Sequence, residues 1–319
     1  MSKNAPLVTI GILCFNAESS ILNALSSALN QTYKKKEIIV IDDCSTDNSL
    51  KVIKESKYIN DIKVFKNKQN KGAAYSRNII TKKSKGSYIC YMDDDDFSDK
   101  KRIEIQLKGI IDEGFKKSDC VISICNINRE YSSGYIKEMK VFGSKALKPN
   151  NYEMIDFLLF NEKKAKVDYG FGCPACAMLI SKKALEIVKG FDETLKRVED
   201  MDITIRLSRE GCNFINSKKT FVNQLSTLGE DKLPINNLKS EIQIIKKNKN
   251  YLKNKNIYSY SRLWPYLRFY HFTGNYFFLI FFLIVIFFIN PKRTLYHFIS
   301  STINRIKHEH KIKNFKKRD

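Results

Sequence analysis

Acids are scarce in this 319-residue sequence: 34 Asp and Glu stand against 56 Lys and Arg, a formal net charge of +22. That balance points to anionic partners: nucleic acid, anionic lipid or phosphorylated substrates. No zinc finger or RNA-binding signature is present. Nucleic acid is therefore set aside, and the basic excess, clustered beside apolar residues, fits anionic lipid better. Histidine is scarcer still. His271, His297, His308 and His310 are the only four, so proton transfer upstream of them falls to carboxylates. A Walker A motif is absent. Gly170-Phe-Gly172-Cys-Pro-Ala175 resembles a dinucleotide fingerprint only superficially, because it contains Pro and follows no strand. An EF-hand is excluded by Ser98, which stands where the loop needs Gly. Cys173-Pro-Ala-Cys176 has no second pair at zinc spacing and is read as packing under a loop. No secretory signal opens the chain. Cys14, Cys44, Cys90, Cys120 and Cys125 lie in or beside apolar segments, as reduced core thiols do, which implies a reducing compartment.

What is present is a strand–helix alternation. Hydrophobic residues make up 43% of the chain, enough for a true core. Residues 7–15, 37–41, 62–65, 87–92 and 121–127 read as strands; 16–31, 47–53, 73–80 and 99–111 read as the helices between them. Such βαβ units imply an α/β fold with a mainly parallel sheet, whose ligand site lies beyond the carboxyl ends of the strands. The unusual residues fall there: Asn16, Asp42, Asp43, and Asp93 to Asp96. Like charges crowded at one edge need a cation or buried hydrogen bonds.

Four segments carry the chemistry. Tyr91-Met92-Asp93-Asp94-Asp95-Asp96 ends a strand with carboxylates spaced to hold a hard divalent ion that also bridges a diphosphate. Val40-Ile-Asp42-Asp43-Cys-Ser45-Thr-Asp47 combines a helix cap, Asp47, with two acids that capping does not explain; a buried carboxylate there can accept from a uracil imide. Asn70-Lys-Gly72-Ala-Ala-Tyr-Ser-Arg77-Asn78 enters a helix through Gly72. Gly190-Phe191-Asp192-Glu193 precedes Glu199-Asp200-Met-Asp202, three acids in a first helical turn, with Arg206 at pairing distance from Asp202.

In order and spacing these segments resemble the large family of inverting nucleotide-sugar glycosyltransferases, the family 2 type with the GT-A fold. The resemblance runs from about Leu7 to Gly211. The family's opening strand ends in Pro-Thr-Tyr-Asn, where this chain has Leu13, Cys14, Phe15 and Asn16; Cys44 replaces the Gly of its Asp-Asp-Gly-Ser-Thr-Asp. The resemblance implies a Rossmann-like sheet flanked by helices and transfer from a nucleotide diphosphate sugar, UDP by family frequency, to a glycan or lipid-linked hydroxyl. It implies that Cys14, Phe15, Asn16, Asn70 and Asp94 line the nucleotide, and that Asp42 or Asp43 holds the base with Arg77. Asp93 would touch ribose or metal, and Asp95 would bind Mg2+ or Mn2+. Asp200 would be the general base, with Glu199 in reserve. The rival readings are an inactive membrane scaffold of the same fold and a basic nucleic-acid-binding protein.

Residues 269–290 carry no Lys, Arg, Asp or Glu. As one helix they would reach roughly 33 Å, the thickness of a bilayer core. Lys and Arg flank both ends, and residues 251–319 hold thirteen of them against two acids. A single span would carry that basic tail outward, against the positive-inside tendency. A re-entrant or shallow segment bent at Gly274 and Asn275 is the preferred reading, followed by a basic amphipathic stretch through Leu295, Phe298, Ile299, Ile303 and Ile306. The expected organisation is a GT-A catalytic domain over 1–230, a basic helical linker over 231–268, and a membrane-associated helical extension over 269–319. The whole would sit on the cytoplasmic face of a membrane.

Overall fold

The computed structural model describes residues 5–227 and 232–315. Among the described residues nine strands form one sheet: β1 (Val8–Cys14), β2 (Lys36–Asp42), β3 (Lys63–Lys66), β4 (Tyr88–Met92), β5 (Phe97–Ser98), β6 (Val121–Glu130), β7 (Ile136–Met139), β8 (Met178–Ser181) and β9 (Asn213–Leu225). The helices are α1 (Ile21–Leu29), α2 (Ser49–Glu55), α3 (Ala73–Lys83), α4 (Arg102–Asp112), α5 (Asn151–Phe160), α6 (Lys182–Ile187), α7 (Glu199–Arg209), α8 (Pro234–Lys247), α9 (Lys249–Asn254), α10 (Tyr258–Phe272), α11 (Tyr276–Ile289), α12 (Pro291–His297) and α13 (Ile303–Asn314). The strand order is β3-β2-β1-β4-β8-β6-β9-β5, with β7 on β6. β1, β2, β3 and β4 pair in parallel, β6 and β9 pair in parallel, and β5, β7 and β8 run against their neighbours.

β1 lies between β2 and β4, so the strand order reverses at its carboxyl end. That is where an open α/β sheet leaves a crevice. Alternation along β1 sends Val8, Ile10 and Ile12 to one face, where they pack with Ile21 and Leu25 of α1 and Ile103, Leu107 and Ile110 of α4. The opposite face buries Ile39, Ile41, Ile89 and Tyr91 with Ile80 of α3 and Ile203 and Leu207 of α7. Gly11 lets α3 approach closely: a Cβ there would stand 2.4 Å from Cγ2 of Ile80. Gly11→Ala is expected to push α3, and with it Arg77, off β1. Overpacking of this kind costs about 1–3 kcal/mol, to be read as a lower urea midpoint at unchanged m-value.

The structure departs from the sequence reading in two places and keeps to it in a third. Cys120 is not a reduced core thiol: it is disulfide-bonded to Cys212, with Cα atoms 4.9 Å apart. Parallel pairing of β6 with β9 brings the starts of these strands together across 92 residues of chain. Residues 269–290 bend at Gly274 and Asn275, as the preferred reading has it, and do not form one helix. Gly274, with φ +70°, ends α10 and reverses the chain into α11, and among the described residues no helix is long and apolar enough to cross a membrane. Residues 232–268 are helical but not a free linker. Ile244 and Ile245 of α8, Leu252 of α9 and Leu267 of α10 share a third core cluster with Ile155 of α5 and Ile205 of α7. The boundary expected at residues 230 and 231 lies outside the described residues, as do Lys316, Lys317 and Arg318 of the basic tail.

Candidate functional site

The carboxyl ends of β1, β2 and β4 deliver Cys14–Asn16, Asp42–Asp43 and Asp93–Asp96 to one edge of the sheet. The residues after β1 mostly shape that edge. Cys14 is buried in the core, and burial, with Asp94 and Asp42 nearby, pushes its thiol up to about 12. The Asn16 side chain accepts from the Thr46 N–H at 2.9 Å and so clamps the loop after β2. The Phe15 N–H donates to Asp94 Oδ2 at 2.8 Å, tying the ends of β1 and β4, while its ring remains exposed.

Asp42 and Asp43 differ in their free capacity. Asp43 accepts from Asn67 Nδ2 at 2.7 Å and from the N–H groups of Lys71 and Gly72 at 3.1 and 2.7 Å; it organises the loop that carries Asn70, which is itself exposed. Asp42 is fully buried. Its Oδ1 accepts weakly from the Ser45 N–H at 3.3 Å, and its Oδ2 has no partner among the described residues. Cys44, at the position of the family's Gly, keeps a left-handed backbone with φ +65°.

Arg77 joins the two halves of the site. It leaves α3, is buried, and reaches Glu199 Oε1 at 2.5 Å and Asp93 Oδ1 at 3.4 Å. Its guanidinium carbon lies 5.4 Å from the Phe191 ring. Burial alone would lower its basicity, but Glu199 and Asp93 outweigh that and raise it, so the charge is fixed. Arg77 therefore faces carboxylates on both sides. The next residue, Asn78, was not singled out as a functional position in the sequence. It accepts the Phe191 N–H at 2.8 Å and donates to the Phe191 carbonyl at 2.9 Å, locking the loop that leads to α7. Gly190 makes that approach possible, since its Cβ position would lie 2.5 Å from Asn78 Oδ1.

α7 opens with Glu199, Asp200 and Asp202 in its first turn, where the helix dipole favours negative charge. Asp202 turns inward to Arg206 at 2.7 Å and to Lys247 at 2.5 Å, and Arg206 also holds the Val188 and Gly190 carbonyls. Asp202 is thus structural. Asp200 Oδ1 accepts the Met201 N–H at 2.8 Å. Burial, then the charge of Glu199, raise its carboxyl to about 6.

The four aspartates after β4 repel one another. Burial first, then the neighbouring carboxylates, push Asp94 up to about 7 despite its bond from Phe15. Asp95 is raised by burial and Asp93, although Thr227 donates to it at 3.1 Å. Burial, then Asp93 and Asp95, raise Asp96 well above its ordinary value, and neither of its buried oxygens has a hydrogen-bond partner among the described residues. Carboxylate oxygens of Asp93 and Asp96 and the thiol of Cys176 gather within 4.8 Å of one another. The set fits a divalent cation, whose charge would relieve this repulsion. Oxygen donors suit a hard ion; Cys176, held protonated by burial beside Asp96, suits it poorly. Thr227 escaped the sequence reading; Asp96 was placed in the acidic run without a role of its own, and Cys176 was read as packing. Asp96 looked like one of a run, the Cys-x-x-Cys stood alone, and nothing in the sequence marks Thr227, two residues past β9, as a neighbour of Asp95.

Comparison with known proteins agrees with this geometry. The Glycosyl transferase family 2 profile matches residues 9–187, more than half of the chain. An uncharacterized glycosyltransferase of Haemophilus influenzae is 29% identical over 164 residues, 50% of this chain and 64% of that protein. The Escherichia coli UDP-Glc:alpha-D-GlcNAc-diphosphoundecaprenol beta-1,3-glucosyltransferase WfaP is 44% identical over 94 residues, 28% of this chain and 36% of that one. The chain thus spans under two thirds of the length of either relative. Among solved structures, Staphylococcus aureus TarS 1-349 in complex with UDP-GlcNAc superposes with TM-score 0.61 at 18% identity, covering 90% of this chain and 82% of that one. The mannosyltransferase PcManGT from Pyrobaculum calidifontis, in complex with GDP-Man and Mn2+, gives 0.55 at 15%, covering 82% and 72%. The fold is GT-A: a mixed α/β sheet with flanking helices and a helical C-terminal region. With its profile, its sheet and its acid-edged crevice in agreement, the chain belongs to glycosyl transferase family 2.

Proposed function

We propose that this glycosyltransferase is metal-dependent and inverting, and moves a sugar from a UDP-type donor to a hydroxyl of a glycan or lipid-linked acceptor at the cytoplasmic face of a membrane. The observation that carries the reading is the Arg77 bridge. One buried guanidinium contacts Asp93 of the aspartate loop and Glu199 beside Asp200, so donor-side and acceptor-side carboxylates meet at one place.

Asp42, with its unpartnered oxygen, accepts from the base, and the exposed Phe15 ring stacks near it. Asp93 and Asp95 would hold Mg2+ or Mn2+, with Asp96 beside Asp93. When bound, the cation neutralises charge on the departing diphosphate. Asp200 accepts the proton of the acceptor hydroxyl as that oxygen attacks the anomeric carbon from the face opposite the diphosphate, which inverts the centre. Arg77 keeps Glu199 occupied as an ion-pair partner, leaving Asp200 as the acid free to take a proton. The undecaprenyl-diphosphate acceptor named for the WfaP relative supports a lipid-linked acceptor here.

The test is release of nucleoside diphosphate from a panel of sugar nucleotides, with kcat/KM followed across pH. Asp200 must be ionised to act, and its carboxyl lies at about 6, above the ordinary carboxylate range. Activity should therefore rise as pH increases through about 6 and then level off. A profile flat well below that value removes Asp200 as base.

A further inference from the structure

We infer that the α10–α11 hairpin is a surface anchor that lies in the plane of an anionic phospholipid leaflet, with the outer face of α11 among the acyl chains. This rests on the membrane-side reading above and identifies the docking surface and its lipid chemistry.

α11 has 14 residues, all apolar or aromatic. At about 1.5 Å per residue it is some 21 Å long, well short of a ~30 Å hydrocarbon core. Asn275 and Asn290 cap the helices that start after them, accepting from the N–H groups of Phe278 and Arg293. The hairpin is antiparallel: Tyr266 stacks on Phe282 at 5.0 Å, and Tyr270 on Phe278 at 5.2 Å. One face of α11 is covered, since Leu279, Phe282, Leu283 and Ile286 join the third core cluster. The other is bare. Phe277, Ile280, Phe281, Ile284, Phe287 and Phe288 recur at helical spacing and are all exposed, Phe277 and Phe288 at 76% and 79%. An aromatic stripe of this size marks an interaction surface.

Charge selects the occupant. Exposed Arg262, Lys292, Lys307, Lys311 and Lys313 lie in the same helical region, and residues 251–319 carry thirteen basic residues against two acids. A second copy would bring the same basic excess to the contact and be repelled, whereas anionic headgroups complement it. Exposed Tyr276 and Tyr296 flank the stripe, where amphipathic rings favour the headgroup level. The anchor's covered face shares its core with Ile205 of α7, the helix whose first turn holds Asp200. Docking thus holds the acceptor side of the site near the leaflet.

The test is sedimentation of the full-length protein with vesicles of phosphatidylcholine alone and of phosphatidylcholine mixed with phosphatidylglycerol, beside its oligomeric state and its release of UDP from sugar nucleotides in solution. The wild type is expected to bind the mixed vesicles at least about tenfold more tightly than the neutral ones. Phe277→Ser with Phe281→Ser should lower binding to both about tenfold or more; Lys292→Glu with Lys307→Glu should lower it only on the mixed vesicles. Both variants should release UDP as the wild type does. Equal vesicle binding by wild type and the Phe pair overturns the anchor. So does a wild type that ignores vesicles and instead forms dimers that the Phe pair dissolves. Anionic-lipid binding that follows these substitutions in a protein without any UDP release would leave the anchor standing and defeat the transferase reading.

Discussion

Asp200→Asn is expected to lower sugar transfer by about 10²–10⁴-fold, the usual contribution of a positioned general base. Donor affinity should stay within about twofold, because the loss falls on the chemical step rather than on uniform binding. The folded state should not suffer. Burial and Glu199 hold the Asp200 carboxyl above its ordinary range, so ionising it opposes folding. Between the ordinary carboxylate value and about 6, the folded protein binds more protons at this position than the unfolded chain. Stability therefore falls as pH rises through that window, and a neutral Asn removes the loss. Glu199→Gln should behave in the opposite way. Glu199 is the nearer partner of a buried guanidinium, and removing one side of a buried pair costs on the order of 3 kcal/mol. Kinetics and thermal denaturation of the two variants side by side separate a base from a positioning acid. A folded Asp200→Asn enzyme with wild-type turnover contradicts the assignment.

Asp95→Ala is expected to abolish the response to metal. In the wild type, cation at about 100 times its Kd adds roughly 2.7 kcal/mol of stability, a rise in Tm of roughly 5 °C. Asp95→Ala should show little of that rise and lose transfer by roughly 10³-fold, since charge on the leaving diphosphate would then go uncompensated. Its metal-free form should be at least as stable as the wild type, because one of the repelling charges is gone.

The parallel strands and the acids at their ends were legible because two local signals coincide there. An apolar run, β-branched before Asp42 and tyrosine-rich before Asp93, ends in carboxylates, and such an edge has few structural explanations. α7 was legible from three acids followed by helical periodicity. β9 was not: its middle reads Asn216-Ser-Lys-Lys219, and Lys218 takes a left-handed turn at φ +55° where pairing with β6 shifts register. Losing β9 meant losing Thr227 beside Asp95. The partner of Arg77 was hidden for a different reason. Glu199 lies 122 residues away, and nothing local to either residue fixes a long-range ion pair. The helices after residue 232 looked like a linker because Lys and Asn dominate their exposed faces; the buried Ile244, Ile245 and Leu252 become a core only against α5 and α7. Cys14 and Asn16 illustrate the limit of motif matching. Both stand where the family's nucleotide contacts are expected, yet one side chain is in the core and the other holds a neighbouring loop.

Calorimetric titration of UDP into the full-length protein, once with Mn2+ and once with EDTA, tests the convergence of these carboxylates on a cation and a diphosphate most directly. The expected result is saturable binding with Mn2+ that EDTA removes and that Asp95→Ala lacks. Equal affinity for UDP in EDTA, or no affinity for it with any divalent cation, would contradict it.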